Sequence, residues 1–208
     1  NAFRYPNFSE LYFPDQGYLR GNPDLNDELS WGWDLGFVFT HKYFGAEFSY
    51  FQNRIDNQIL FVPISALTIQ PINTYAVFSQ GVEIAANIDP IKYLHFDANY
   101  TWLDAHFKSN GLQLPGRPRN KANLRAEVRV KPVTAFGEVQ VIGSFPVNVA
   151  NTVRISGHTA VNLGSTINFA KHFFFTFEVK DVTDVQIYDA RAFPLPRRSF
   201  LGTIGAKV

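Results

Sequence analysis

Four separate turn-rich stretches carry the residues best suited to holding a ligand: Tyr18 and Arg20, Phe61 and Tyr75, Arg117 and Arg119, and Tyr188 with Arg191. Tyr12 and Phe13 extend the first stretch and Phe193 the last. Ring faces cover flat organic surfaces, and guanidinium forks hold carboxylates and other oxyanions through paired hydrogen bonds. Such a mixture fits an anionic chelate or a flat organic ligand. It equally fits ordinary loop packing.

Residues for covalent or metal chemistry are not arranged for it. The chain has no Cys, which removes thiol catalysis, disulfide scaffolds and Cys-based zinc sites. Its five His (His41, His95, His106, His158 and His172) stand without ligand spacing. No nucleophile elbow or Ser-His-Asp order is present, and Gly111 and Gly116 form no phosphate loop. Asp97 and Asp104 fall on an expected lumenal strand and an expected loop start, where solvation explains them. No enzyme, cofactor or metal site is expected.

The elements that must position the loop residues are strands. Apolar residues make up 46% of the 208 and charged ones only 18%, below the usual quarter of a soluble domain, while aromatics reach 16%. A formal charge of +1 gives no basis for a nucleic-acid surface. No apolar run is long enough for a membrane-crossing helix. There is no signal peptide and no Met, so the chain is expected to be a processed product or a piece of something larger.

Period-two alternation recurs from Trp31 to the end. Trp31, Trp33, Leu35, Phe37 and Phe39 alternate with Gly32, Asp34, Gly36, Val38 and Thr40, and Ala122, Leu124, Ala126, Val128 and Val130 alternate with Asn123, Arg125, Glu127 and Arg129. Phe174 breaks its run, and the last alternation runs to Val208. About nine strands are expected, plus a partial one near the N-terminus. The first 28 residues show neither a helical nor an alternating pattern; Pro6, Pro23 and the Gly21-Asn22-Pro23-Asp24 cluster mark turns. Connections near 40–43, 89–93, 131–135 and 169–171 are tight, whereas those near 13–30, 56–76, 104–120, 146–158 and 181–198 are long. Regular sorting of short and long links marks an up-and-down meander with one trimmed and one elaborated end, as in outer-membrane barrels.

Alternation alone leaves open whether the apolar face meets lipid or a protein core. Aromatics near strand ends (Trp31, Trp33, Tyr50, Tyr100, Trp102) with smaller residues between them favour lipid, because amphipathic rings settle at the headgroup level. A soluble β-sandwich or small barrel is the alternative. On the membrane reading, the two terminal strands are left unpaired, so another segment must supply further strands.

The motifs carry a resemblance. Phe3-Arg4-Tyr5-Pro6, with Glu10-Leu11-Tyr12, then Gly21-Asn22-Pro23-Asp24-Leu25 and Glu28, resembles a segment of TonB-dependent outer-membrane receptors. Similar in the same order are Phe51–Ile59, Gly81-Val82-Glu83, Leu114–Leu124 with Arg117 and Pro118, Val179–Asp184, and Phe193–Phe200 with Arg198. Lys180-Asp181 and the final Val208 depart from the family pattern, which has Asn-Leu and a terminal aromatic there.

The resemblance implies an all-β fold: an antiparallel up-and-down transmembrane barrel, of which the chain holds nine or ten of about 22 strands. Residues 1–208 would be its C-terminal portion. The remaining strands and a plug domain would come from a preceding part or another chain. It further implies an outer-membrane receptor importing a scarce chelate, ferric siderophore or cobalamin in type, with a TonB complex acting through the plug. The rival is a structural or interaction barrel without transport. Within the signature, Arg4 and Glu10 are expected to pair at the barrel rim and Gly81 to relieve crowding against a plug.

Overall fold

The computed structural model describes residues 1–74, 76–170, 172–190 and 193–206. Its strands are β1 (Ala2–Arg4), β2 (Glu28–Thr40), β3 (Phe44–Asp56), β4 (Ile59–Pro63), β5 (Ile69–Asn73), β6 (Val77–Ile91), β7 (Leu94–Phe107), β8 (Asn120–Val130) and β9 (Val133–Ile142). There follow β10 (Phe145–Pro146), β11 (Arg154–Ile155), β12 (His158–Phe169), β13 (Phe173–Lys180), β14 (Tyr188–Ala190), β15 (Phe193–Pro194) and β16 (Ser199–Ala206). Helix α1 spans Phe8–Tyr12.

Ten strands form a single sheet in the order β1-β2-β3-β6-β7-β8-β9-β12-β13-β16. Every pair is antiparallel. The other six make three hairpins inside the long connections: β4–β5, β10–β11 and β14–β15. The tight turns lie at one end and the elaborated loops at the other. Among the described residues β1 and β16 do not pair with each other, so the barrel is partial and open.

Register puts most apolar residues of the sheet on one face. Leu35 faces Tyr50, Tyr50 faces Val82, and Val82 faces Trp102. Farther on, Leu124 faces Val139 and Val139 faces Val161, while Val179 faces Phe200. No second layer covers this face among the described residues. Phe37 is 64% exposed, Leu124 51% and Ile204 73%. A sandwich would have buried these side chains, whereas hydrocarbon solvates them. The face is therefore the lipid surface, and the opposite, polar face is the lumen wall. Trp33, Tyr50, Tyr100 and Trp102 ring its outer margin, with Trp33 and Tyr50 in ring contact at 5.3 Å. The two tyrosine hydroxyls reach toward the loop end: Tyr50 Oη donates to Gln80 at 3.0 Å and Tyr100 Oη to Asn120 at 2.7 Å.

Charges on the lumen wall are met by neighbours on adjacent rungs. Glu127 accepts from both Arg125 (3.1 Å) and Arg129 (2.6 Å). Arg125 also lies over the Phe136 ring at 3.7 Å, and His95 stands between Asp89 (2.8 Å) and Asp97 (2.9 Å). Three lumenal rings lie across glycines of the neighbouring strand: Phe51 over Gly81, Phe136 over Gly164 and Phe174 over Gly205. Phe174 thus interrupts the alternation because its ring belongs to the lumen and needs the bare backbone of Gly205. Crowding at Gly81 arises within the sheet, from Phe51 and from the Trp102 carbonyl, which a Cβ would approach to 2.6 Å.

Four expectations need correction. The first 28 residues are not free of helix: besides the expected partial strand, which is β1 paired with β2, they contain the short helix α1. Strand β6 runs through Asp89-Pro90 to Ile91, the register shifting between Ile88 and Ile91, because an irregular step accommodates a proline near a strand end. Asp104 belongs to β7, not to a loop, and shares the outward parity of Trp102. The three loop hairpins went unread, their strands being two to five residues long. Lys207 and Val208 lie outside the described residues.

A small hydrophobic core sits at the loop end, on the lumen side. Val77, Ala105 and Phe107 share lumenal parity and are covered by Leu114, with Leu60, Leu103 and Leu112 packed around them. Loops 57–76 and 108–119 therefore fold inward over the wall instead of standing free above it.

Candidate functional site

The elaborated end is a set of interlocked loops, built outward from Arg4. Helix α1 begins with a capping box: Asn7 Oδ1 accepts from Glu10 N and Glu10 Oε2 accepts from Asn7 N, each at 2.8 Å. That leaves the Glu10 carboxylate facing Arg4, whose Nη1 reaches Oε2 at 3.0 Å. The other edge of the same guanidinium makes a two-bond fork with Glu28, 2.8 Å from Nε and 2.9 Å from Nη2. Glu28 lies above the tryptophan belt, and its Oε1 also accepts from Ile59 N at 2.7 Å. Arg4 accordingly holds the Glu28 carboxyl below the usual carboxylate range, against a partial opposing effect of burial. The two carboxylates in turn raise Arg4 further above its already high value.

The chain returns across this clasp at Gly21-Asn22. Gly21 N donates to Phe13 O at 2.9 Å and Asn22 N to Glu10 O at 2.8 Å. Only glycine fits there, because a Cβ would stand 2.6 Å from both Leu11 O and Phe13 N. Loop 13–27 is then sewn to the β4–β5 hairpin. Arg20 N donates to Ile69 O and Ile69 N to Tyr18 O; Asn22 Nδ2 reaches Pro71 O, and Gln70 Nε2 reaches Gly21 O. Asn73 closes the seam by donating to both Asn26 O and Asn57 O.

Of the five long connections (13–27, 57–76, 108–119, 143–157 and 181–198, loops one to five), three and four are joined similarly. Gln113 and Asn151 exchange bonds at 3.0 and 2.8 Å, and Gly116 N donates to Pro146 O. In the last loop, Asp184 at φ 56° accepts from Arg198 N at 3.2 Å and pairs with Arg197 at 3.1 Å, while Arg198 Nε donates to Val182 O. Asp181, where the family pattern differs, is 5% exposed at φ 49°; its N–H donates to Asn162 and its Oδ1 accepts from Thr183.

The expected signature residues thus fall in distinct places. Arg4, Glu10, Gly21 and Asn22 make one network, with Pro6, Leu11, Tyr12 and Pro23 on the same segment. Tyr12 is exposed and rests on Phe8, ring centroids 5.0 Å apart. Glu83 lies on the lumen wall opposite Ser49 and Thr101. Pro118 is buried beside exposed Arg117. Phe200 faces outward and stacks on Phe177 at 6.3 Å.

Of the expected ligand residues, Tyr18, Arg20 and Phe61 share the body formed by loops one and two. Tyr18 Oη donates to Gln16 and Arg20 reaches Gln70 at 3.4 Å, while Phe61 is half exposed. Arg117 and Arg119 stand on loop three, where Arg119 lies 3.7 Å from Asp104, and exposed Tyr188 is on loop five. Tyr75 and Arg191 lie outside the described residues. The six described ones are therefore spread over loops one, two, three and five and not gathered at one point. Sequence reasoning missed an open cleft of about 830 Å³ between the β4–β5 hairpin and residues 107–112, bordered by Val149 and Ala150. Its lining comes from three loops and has no sequence spacing of its own. A second, of about 460 Å³, lies between Arg154–His158 and Val185–Tyr188. Among the described residues, no group of three or more His, Asp or Glu is placed to hold a metal ion.

Comparison with known proteins agrees with this architecture. The family description "TonB dependent receptor-like, beta-barrel" matches residues 1–182. The vitamin B12 transporter BtuB of Photobacterium profundum is 30% identical over 125 residues, 58% of this chain and 20% of that protein. Among solved structures, the copper transporter OprC superposes with a TM-score of 0.84 at 16% identity, covering 98% of this chain and 35% of that one. A mutant ferric enterobactin receptor (PfeA) from Pseudomonas aeruginosa, in complex with enterobactin, gives 0.78 at 19% identity, with 98% and 37% covered. The chain spans about a fifth of the length of its curated relative and about a third of these structures. The chain belongs to the β-barrel of the TonB-dependent receptors, outer-membrane proteins of Gram-negative bacteria that are receptors and not enzymes.

Proposed function

We propose that residues 1–208 are the C-terminal part of the barrel of a receptor that imports a scarce nutrient chelate, ferric siderophore or cobalamin in type. The supporting observation is the family match across residues 1–182, joined to loops that fold inward over the lumen and leave clefts at the external end. A relative named as a vitamin B12 transporter and a structural neighbour named as a ferric enterobactin receptor mark the two chelate types. In this reading the chain supplies wall and loops. Preceding strands complete the barrel, a plug fills it, and a TonB complex acts on the plug. Tyr18, Arg20, Phe61, Tyr75, Arg117, Arg119, Tyr188 and Arg191 serve as rim contacts for the arriving chelate.

The test is uptake by cells making the intact receptor in a Gram-negative host stripped of its own chelate receptors. Radiolabelled cyanocobalamin and ferric siderophores should accumulate beyond surface binding, and accumulation should vanish when TonB is deleted. Binding without accumulation, indifferent to TonB, would show a non-transporting barrel.

A further inference from the structure

The larger cleft differs chemically from the rim. Val62, Ile72, Phe107 and Leu112 give it an apolar floor, and Asn57, Ser109 and Asn110 supply amide and hydroxyl groups. None of its described lining residues is charged. Phe107 has the lumenal parity of β7 and belongs to the small core on that side, which places the cleft on the lumen side of the wall. Cations of the surrounding loops are engaged elsewhere: Arg119 with Asp104, Arg154 with Gln113 and the Ser144 carbonyl, Arg20 with Gln70. Arg117 and Lys108 are exposed and do not line it.

Desolvating an anionic group costs several kcal/mol unless a cation or several strong donors replace its water. This cleft offers no cation. Its amides can both donate and accept, and Asn110 Oδ1 is already taken by Leu112 N at 3.0 Å, so its amide hydrogens are the group on offer. A volume of about 830 Å³ lies within the range of small-molecule sites, which are mostly apolar with a few placed polar groups.

We propose that this cleft receives an uncharged, amide- or carbonyl-bearing face of the chelate, and that the receptor therefore selects uncharged chelates over polyanionic catecholates. The inference rests on the uptake reading above and narrows it to a substrate class. Exposed cations at the rim then serve encounter only, while selectivity resides in the cleft, whose described lining carries no charge.

The experiment measures equilibrium binding to the intact receptor in outer-membrane vesicles. Cyanocobalamin and ferrichrome serve as uncharged probes and ferric enterobactin as the anionic one, each at low and high salt. At least one uncharged probe should bind saturably, with affinity changing less than about threefold between salts. Leu112→Trp, which fills the cleft, and Asn110→Asp, which places a charge in it, should each weaken that binding at least tenfold. Heat-modifiable migration on gels checks that both variants are folded. Preferential, salt-sensitive binding of ferric enterobactin would overturn the inference while leaving uptake standing, as would uncharged-probe binding that neither substitution weakens. Binding of no probe, together with no TonB-dependent accumulation, would remove both readings.

Discussion

Arg4 and Glu28 face each other across the β1–β2 pair as a two-bond fork, Nε to Oε2 at 2.8 Å and Nη2 to Oε1 at 2.9 Å. Glu10 takes the remaining edge of the guanidinium, and Ile59 N binds the far side of Glu28. One planar cation thus joins the N-terminal segment to the start of β2, and Glu28 extends the link to the start of β4.

Replacing Arg4 by Ala should leave two largely covered carboxylates facing each other. Charge-assisted bonds contribute about 1.5–3 kcal/mol each, but the Arg4 side chain is 43% exposed, so the loss is discounted to about 1–2 kcal/mol. Thermal unfolding of the detergent-solubilised receptor measures it, and protease nicking within residues 13–27 should appear in the variant first. Arg4→Lys should recover little, since an ammonium cannot span both carboxylates in a plane.

The same clasp sets a pH dependence. Glu28 is lowered in the folded protein by Arg4, so its contribution is fully present above the ordinary glutamate value of about 4.3. That contribution is lost as pH falls from there through the lower folded value. Melting temperature should be flat from about pH 8 to 5 with respect to this group and decline below about pH 4. In Glu28→Gln the acid decline should be shallower, and an unchanged acid limb would exclude the clasp as its cause.

Glycine substitutions should separate backbone crowding from ring crowding. At Gly21 and Gly81 a Cβ meets backbone oxygen at 2.6 Å, whereas at Gly164 the three nearest atoms all belong to the Phe136 ring. Ala at Gly21 or Gly81 should destabilise by about 2 kcal/mol or more, and Gly164→Ala by about 1 kcal/mol or less as the ring swings aside. Urea unfolding of each variant in detergent gives the ranking.

Opposite faces of neighbouring strands should respond differently to charge. Leu124→Arg, mid-strand on the outer face, should cost about 2–4 kcal/mol in a bilayer. Asn99→Lys, on the lumen wall opposite Asn123, should stay within about 1 kcal/mol. Reversible unfolding from lipid vesicles distinguishes them, and equal effects would contradict the assignment of faces.

The strands were legible because two solvents meet at the sheet, lipid on one side and a wet lumen on the other, and each alternate residue must suit its own. Trp31 to Phe39 shows this directly. Helix α1 was hidden because it is held by the Asn7–Glu10 capping box rather than by an apolar stripe; the Asn-Phe-Ser-Glu spacing was present but lay between two prolines. Hairpin β4–β5 was masked by Pro63 and Pro71, which look like breakers until the hairpin is seen outside the main ladder. Arg4, Glu10, Gly21 and Asn22 were found by resemblance, and their contacts give the physical reason. The large cleft was not legible at all, because Val62, Phe107 and Val149 meet only after three loops have folded inward.

Once the three loop hairpins are set aside, every neighbour in the ten-stranded sheet is also the next strand along the chain. No strand waits for a distant partner, and no link must be threaded past another. Ordering one hairpin therefore exposes an edge on which the following strand can nucleate at low loop-closure cost, since the links between them are short or folded locally. The wall can be laid down from one side to the other, like successive pleats, with the unsatisfied backbone always confined to a single advancing edge.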